Sequence, residues 1–170
     1  MAGPLIVTAL LGAADQARFD HLRKTHFPPE RNQLDAHLTM FHAIPPMLEQ
    51  ELRQRLAAIV AEGAPVRATV SGLMNLGGGV AFRIVSDELD SIRTDLTAAF
   101  RGHLTQQDSH GWRPHITVQN KVTSSIAVAT LAALERSFVP YPLVVAGLAY
   151  YHYEGGPWRL GRHYSFRAMR

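Results

Sequence analysis

The sequence predicts an α+β fold of two pseudo-symmetric lobes, in which two antiparallel sheets face a central cleft and the helices pack outside. A chain of 170 residues, 46% hydrophobic and 18% charged, is long enough to build a substantial core. One order of elements (helix, short strand, helix, strand pair) occurs twice after a first strand. No linker-like stretch separates the two copies. We therefore expect a single domain over residues 1–170, with lobes near 1–86 and 87–170 that can exchange strands.

The individual elements follow from periodicity and from the residues that interrupt it. Pro28 and Pro29 stop the first helix. Pro45 and Pro46 prepare the start of the second helix, and Gly77-Gly78-Gly79 supplies a hairpin turn. Short apolar or alternating runs predict strands at 5–11, 36–44, 65–75, 80–86, 112–120, 142–153 and 157–167. Apolar residues at helical spacing predict helices at 13–26, 47–62, 87–104 and 124–138.

Composition limits the chemistry that is available to the chain. There is no cysteine, which excludes disulfides, thiolate catalysis and cysteine zinc sites, and suits a reducing cytoplasm. The N-terminal apolar run is too short to span a bilayer, so no membrane partner is expected. The net charge is +3, with 15 Arg and 2 Lys. Arginine suits phosphate recognition, although a biased genome composition explains the same excess. We expect a monomer without a cofactor.

One short motif is present in the equivalent strand of each half. The first copy is His37-Leu38-Thr39-Met40 and the second is His115-Ile116-Thr117-Val118. Side chains alternate faces along a strand, so each histidine shares a face with its threonine, opposite the two apolar residues. Two such strands in adjacent lobes would place two imidazoles and two hydroxyls around one cavity.

This set of side chains matches the needs of phosphodiester cleavage. Histidine has an ordinary pKa of about 6.5, so one imidazole can accept a proton while the other donates one near neutral pH. Threonine hydroxyls can donate to the non-bridging oxygens, where negative charge accumulates. No metal ion is required. The roles of His37 and His115 are exchangeable at this stage.

The motifs HLTM and RPHITV, about 80 residues apart, resemble those of the two-histidine (2H) phosphoesterase superfamily. The branch they resemble is the LigT-like group, named for 2'-5' RNA ligase and also called RNA 2',3'-cyclic phosphodiesterases. The resemblance implies a bilobal fold with catalytic His37 and His115 and with Thr39 and Thr117 as phosphate ligands. It implies action on RNA 2',3'-cyclic phosphate ends, 2'-5' linkages or related nucleotide cyclic phosphates, without fixing the substrate.

Further residues are candidates for substrate contacts. Arg113 precedes His115 by two residues, so it either shares the cleft face and binds phosphate or is a solvated rim arginine. Phe41 follows Thr39 on the same predicted face and can stack on a base, although a core position is favoured. Packing is also favoured over a base platform for four strand aromatics, Trp112, Tyr151, Tyr153 and Trp158. The loops 28–35 and 105–111 are candidate rims, with Arg31 a candidate contact.

The sequence is also compatible with two alternatives to a metal-free enzyme. His42 and His110 could join the two motif histidines in a zinc site, but no acidic residue or cysteine completes a familiar spacing. His42, at an odd separation from His37, is expected on the opposite face of the strand. The second alternative is a binding module that holds a nucleotide or RNA end in the cleft without turnover.

Overall fold

Seven strands and five helices form the chain in the computed structural model, which describes residues 2–167. The strands are β1 (Leu5–Leu11), β2 (Leu38–Ile44), β3 (Val66–Asn75), β4 (Val80–Val85), β5 (His115–Gln119), β6 (Tyr141–Tyr153) and β7 (Trp158–Ser165). The helices are α1 (Ala13–His26), α2 (Glu49–Glu62), α3 (Asp87–Ala99), α4 (Gln106–Ser109) and α5 (Ser124–Glu135). Single 3₁₀ turns occupy Pro29–Arg31 and Pro46–Leu48.

The strands form one continuous sheet instead of the two separate sheets that the sequence predicted. Their order is β1-β2-β5-β4-β3-β6-β7, every pair is antiparallel, and β1 also pairs with β6. Six strands therefore close into a ring, and β7 pairs with β6 outside it. The 13-residue β6 makes this possible, because its start pairs with β3 while its remainder pairs with β1 and β7.

The order of strands around the ring is unchanged when the set β1–β3 is exchanged with the set β4–β6. Replacing β1 by β4, β2 by β5 and β3 by β6, and the reverse, reproduces the same sequence of neighbours. The two sets are interleaved around the ring, and β5 lies directly beside β2. This topology makes the two motif strands direct neighbours.

Two predicted elements differ from those in the structure. The helix expected over 87–104 stops at Ala99, and Gly102 follows with a φ of 89° that favours glycine. The loop expected at 105–111 contains the short helix α4, whose first turn is capped by the Thr105 hydroxyl. Among residues 2–167, no helix is long and apolar enough to cross a bilayer.

Candidate active site

The two motif strands meet at their central apolar residues. Leu38 of β2 pairs with Ile116 of β5, and both side chains are fully buried on one face of the sheet. The flanking residues follow from this antiparallel pairing. On one side of the Leu38–Ile116 pair, His37 lies opposite Thr117, and on the other side Thr39 lies opposite His115. All four polar side chains therefore share the other face. The two histidines are diagonal neighbours, a relation in which residues typically lie about 7–8 Å apart and their Cβ atoms somewhat closer.

All four motif side chains line one cavity of about 360 Å³, which we call the histidine cavity. Its remaining walls include Arg113, which lies just before β5, and Arg93, which reaches it from α3. The complete lining is His37, Thr39, His42, Arg93, Gln107, Asp108, Gly111, Trp112, Arg113, His115, Thr117 and Trp158. The cavity thus combines two imidazoles, two hydroxyls and two guanidinium groups, a set suited to a phosphate group.

The two motif histidines are held by the same backbone contact. The Nδ1 atom of His37 lies 2.8 Å from the carbonyl oxygen of Asp35, and that of His115 lies 2.7 Å from the carbonyl oxygen of Arg113. A carbonyl oxygen only accepts, so Nδ1 must be the protonated nitrogen in both rings. Each Nε2 is then free to accept a proton from the neutral ring or to donate one from the cation. The arrangement can therefore perform acid and base chemistry at two points of one cavity.

Partial removal from water lowers the pKa of His37. The hydrogen bond to the Asp35 carbonyl opposes this effect, whereas the positive charges of Arg23, His115 and His42 add to it. Arg23 is itself buried in α1, where its Nε donates to Asn32 and its Nη1 donates to the carbonyl oxygen of Thr117 at 3.1 Å. The neutral form of His37 is therefore favoured at neutral pH.

Bulges in β2 correct two predictions about its side chains. The pairing of β1 with β2 shifts by one residue between Thr39 and Phe41 and again between Phe41 and Ile44. Alternation breaks at such a shift, and the faces exchange beyond it. Phe41 is consequently buried and cannot stack on a base, while His42, expected on the other face, lines the histidine cavity.

Asp108 is a fully buried carboxylate that the sequence patterns did not identify. Its oxygens accept hydrogen bonds from the backbone N–H groups of His42 and Ala43 and lie 3.2 Å from Nδ1 of His42. Burial alone would raise the pKa of Asp108, but these hydrogen bonds outweigh it and lower the pKa. The sequence Thr105-Gln-Gln-Asp108 matches the [ST]-x-x-[DE] helix-start pattern, a signal that could have located this residue.

Arg93 is a second residue that the sequence patterns missed, because it lies within an otherwise apolar helix stripe. It is buried, and it donates from Nε to the carbonyl oxygen of Met40 and from Nη2 to that of Asp108. Its guanidinium carbon lies 4.0 Å from the centre of the Phe41 ring. Arg93 thereby ties α3 to β2 and to the segment that holds Asp108 against the cavity.

The strand aromatics occupy three different environments. Trp112 lines the histidine cavity and donates from Nε1 to the carbonyl oxygen of Thr39 at 3.1 Å. The Trp158 ring lies 4.7 Å from the His37 ring, centre to centre, and Tyr151 lies behind Trp158 at 5.5 Å. Tyr153 is exposed at the end of β6 and lies outside the histidine cavity, so the structure does not bring it together with the motif residues.

The remaining candidates lie at the surface. Arg31 is exposed in the 3₁₀ turn that follows α1 and does not line the histidine cavity. His110 is exposed just after α4, outside the cavity that His37, His42 and His115 line. Within residues 2–167, no group of three or more His, Asp or Glu side chains is placed to hold a metal ion.

A closed antiparallel sheet in which two neighbouring strands direct two histidines and two threonines into one cavity defines a two-histidine phosphoesterase of the LigT-like group. The model of the 2'-5' RNA ligase superfamily matches residues 12–157, and the chain belongs to this superfamily. Membership supports an enzyme activity of the phosphoesterase or ligase type.

Solved structures share the fold at low sequence identity. TT0787 of Thermus thermophilus is 15% identical, with a TM-score of 0.68 over 98% of this chain and 100% of that one. Escherichia coli LigT in complex with 3'-AMP is 18% identical, with a TM-score of 0.62 over 98% and 99% of the two chains. The complex of that LigT with NADP⁺ is 17% identical, with the same TM-score and coverage. No curated protein matches the chain in sequence.

Proposed function

We propose that this chain is a metal-independent phosphodiesterase that acts on RNA 2',3'-cyclic phosphate ends or 2'-5' phosphodiester linkages, with His37 and His115 as the general acid and base. The proposal depends on one observation: both imidazoles, anchored alike through Nδ1, line a cavity that also contains the two motif threonines and two arginines.

The chemistry requires in-line displacement at phosphorus. One neutral imidazole takes a proton from water through Nε2, and the resulting nucleophile forms a new P–O bond. The bond from phosphorus to the ribose oxygen breaks on the opposite side, and the second imidazole, as its cation, protonates that leaving oxygen. Thr39, Thr117 and Arg113 would stabilise the charge on the non-bridging oxygens.

The comparisons with solved structures support a nucleotide or RNA end as the substrate. LigT of E. coli has been solved in complex with 3'-AMP, NADP⁺, ATP and phosphate. Two of these ligands are nucleotides with more than one phosphate group, and the smallest is phosphate alone. A cavity built for one phosphate, next to space for a nucleoside, would suit this class of ligand.

Three single variants test the proposal directly. His37→Ala and His115→Ala are each expected to lower kcat on nucleoside 2',3'-cyclic monophosphates by about 10²–10⁴, since each removes one proton-transfer group. His110→Ala is the matched control, because His110 is exposed outside the histidine cavity. The wild type is expected to keep its activity in EDTA and to show a bell-shaped pH profile. Full turnover by either motif variant would overturn the assignment.

The same assay separates the enzyme from a binding module. The four nucleoside 2',3'-cyclic monophosphates and a 2'-5' dinucleotide are incubated with the wild type, and the products are resolved by chromatography. Ring opening identifies a cyclic phosphodiesterase, and the position of the product phosphate gives its regiochemistry. Nucleotide binding without any product across this set would favour the binding module.

We propose that the chain acts as one domain of two lobes, near residues 1–86 and 87–170, in which strands are exchanged. The insertion of β5 between β2 and β4 supports this division, since each motif strand then pairs with strands of the other half. We also propose a monomer that works in the cytoplasm.

A further inference from the structure

A second cavity of about 420 Å³ adjoins the histidine cavity, and we call it the aromatic cavity. His37 and Trp158 line both cavities, so this pair of rings forms their common wall. Tyr151 of β6 and His163 of β7 also line the aromatic cavity, and the Tyr151 hydroxyl and His163 Nε2 atoms lie 3.4 Å apart. Its volume lies within the range of small-molecule sites.

The two cavities differ in charge. The histidine cavity contains Arg93 and Arg113, and its one carboxylate, Asp108, is already engaged by His42 and by backbone N–H groups. The aromatic cavity contains no lysine or arginine, and Asp35 is its one formally charged residue. A phosphate would be attracted to the first cavity and repelled from the second.

The pairing of the strands also gives the two motif histidines neighbours of different charge. Arg83 of β4 lies opposite His115, whereas Leu10 of β1 is the residue next in register to His37 and lines the aromatic cavity. The neighbour of His37 on the adjacent strand is therefore apolar, while that of His115 is cationic. The two motif strands therefore present different surfaces to the two sides of a bound phosphodiester.

We propose that the aromatic cavity is the nucleoside subsite, which holds the base of the substrate on the His37 side of the phosphate. This inference depends on the proposed function. The aromatic rings supply a surface for base stacking, which tolerates any base. The exposed Asp35 carboxylate, whose charge also acts on Arg23, would accept hydrogen bonds from base N–H groups. Guanine, with two adjacent N–H donors, fits such a carboxylate.

The experiment compares guanosine 2',3'-cyclic monophosphate with 1-O-methylribose 2',3'-cyclic phosphate, which has no base. We expect the wild type to have a kcat/KM about tenfold or more higher on the nucleotide. Tyr151→Leu is expected to remove most of this advantage by raising KM, with the rate on the base-free substrate unchanged. Tyr153→Leu is the matched control, since Tyr153 is two residues away on β6 and lies outside both cavities.

A second variant gives a test whose result is independent of any effect of the Tyr151 substitution on folding. Asp35→Asn alters only an exposed side chain and keeps the backbone carbonyl that holds His37. It is expected to lower kcat/KM several-fold on the guanosine substrate and not on the base-free one. Equal wild-type rates on the two substrates, or equal losses on both in Tyr151→Leu and Asp35→Asn, would overturn the subsite.

Failure of the proposed function gives a different result. If the wild type turns over neither substrate, equilibrium binding of 3'-GMP and of inorganic phosphate is measured by calorimetry on the same variants. A weaker affinity of Tyr151→Leu for 3'-GMP, with unchanged affinity for phosphate, would still support the nucleoside subsite. Unchanged affinity for both ligands would reject it.

Discussion

The two motif histidines share one anchoring hydrogen bond, and this fixes the same nitrogen as the reactive one in each ring. In both cases the partner is the carbonyl two residues earlier, Asp35 for His37 and Arg113 for His115. A hydrogen bond to the backbone does not depend on the identity of the preceding side chain. In each half of the chain, Nε2 therefore stays available for proton transfer even though the neighbouring residues differ.

The lowered pKa of His37 makes stability depend on pH in a defined direction. In the unfolded chain His37 titrates near the ordinary value of about 6.5, so below that pH the unfolded state binds more protons than the folded state. The free energy of unfolding is therefore expected to fall as the pH drops through about 6.5 towards the lowered folded pKa. Above about 6.5 this contribution is constant.

Chemical denaturation of the wild type and His37→Asn at several pH values measures this effect. Asparagine can still donate to the Asp35 carbonyl, but it does not titrate. The loss of stability on acidification is expected to be smaller in His37→Asn, and the other histidines cancel in the difference. Parallel curves for the two proteins would contradict the assignment of a lowered pKa to His37.

Bulges that directly follow the motif threonines decide which side chains reach the cavity. In β2 the shift follows Thr39, and in β5 a corresponding shift lies between Thr117 and Gln119. Phe41 and Gln119, each four residues after a motif histidine, are both buried as a result. Strict alternation predicts the motif residues correctly up to the threonine and fails directly beyond it, because a bulge leaves no mark in a pattern of apolar residues.

The short helix α4 is attached to β2 by one buried carboxylate. Asp108 accepts from two consecutive backbone N–H groups of β2, while its own carbonyl accepts from Arg93. Asp108→Asn replaces one accepting oxygen by an NH₂ group that faces a backbone donor. The free energy of unfolding at pH 7 is expected to fall by about 1–3 kcal/mol, the cost of an unsatisfied buried group.

Urea denaturation measures this loss, with Asp95→Asn on the exposed face of α3 as control. The control is expected to change stability by less than about 0.5 kcal/mol, as is usual for surface substitutions. The segment after α4 leads to Trp112 and Arg113, so Asp108→Asn is also expected to raise KM. Equal stability of the two variants would show that Asp108 does not fasten α4.

At the scale of the whole molecule, charge limits the length of any nucleic-acid contact. The net charge is +3, and two arginines line the histidine cavity. If the substrate is an RNA end, about two phosphates are neutralised, and log Kobs is expected to fall with log salt with a slope near about −1.4. Lengthening the RNA from about two to about 20 nucleotides is expected to leave this slope unchanged.

Fluorescence anisotropy of labelled RNA ends on His115→Ala between about 50 and 200 mM salt gives the slope without turnover. A short and a long RNA with the same 3' end form the matched pair. A slope that steepens markedly with RNA length would reveal an extended basic surface and contradict recognition of the end alone.

Local patterns were enough to predict the order of the seven strands and the four longer helices, the two motifs and the face that each motif residue takes, because these depend on periodicity and on residue types. They also predicted an internal repeat, although the units that match in the structure, β1–β3 and β4–β6, begin with a strand and not with a helix. Each of these features depends only on residues within about ten to fifteen positions of one another in the sequence.

Long-range pairing was needed to establish that the strands close into one sheet, that Arg93 and Asp108 reach the histidine cavity, and that Phe41 does not. Each of these outcomes depends on contacts between residues far apart in the chain. A strand's neighbours and its bulges are set by the balance of packing and hydrogen bonding across the folded protein, which no local pattern contains.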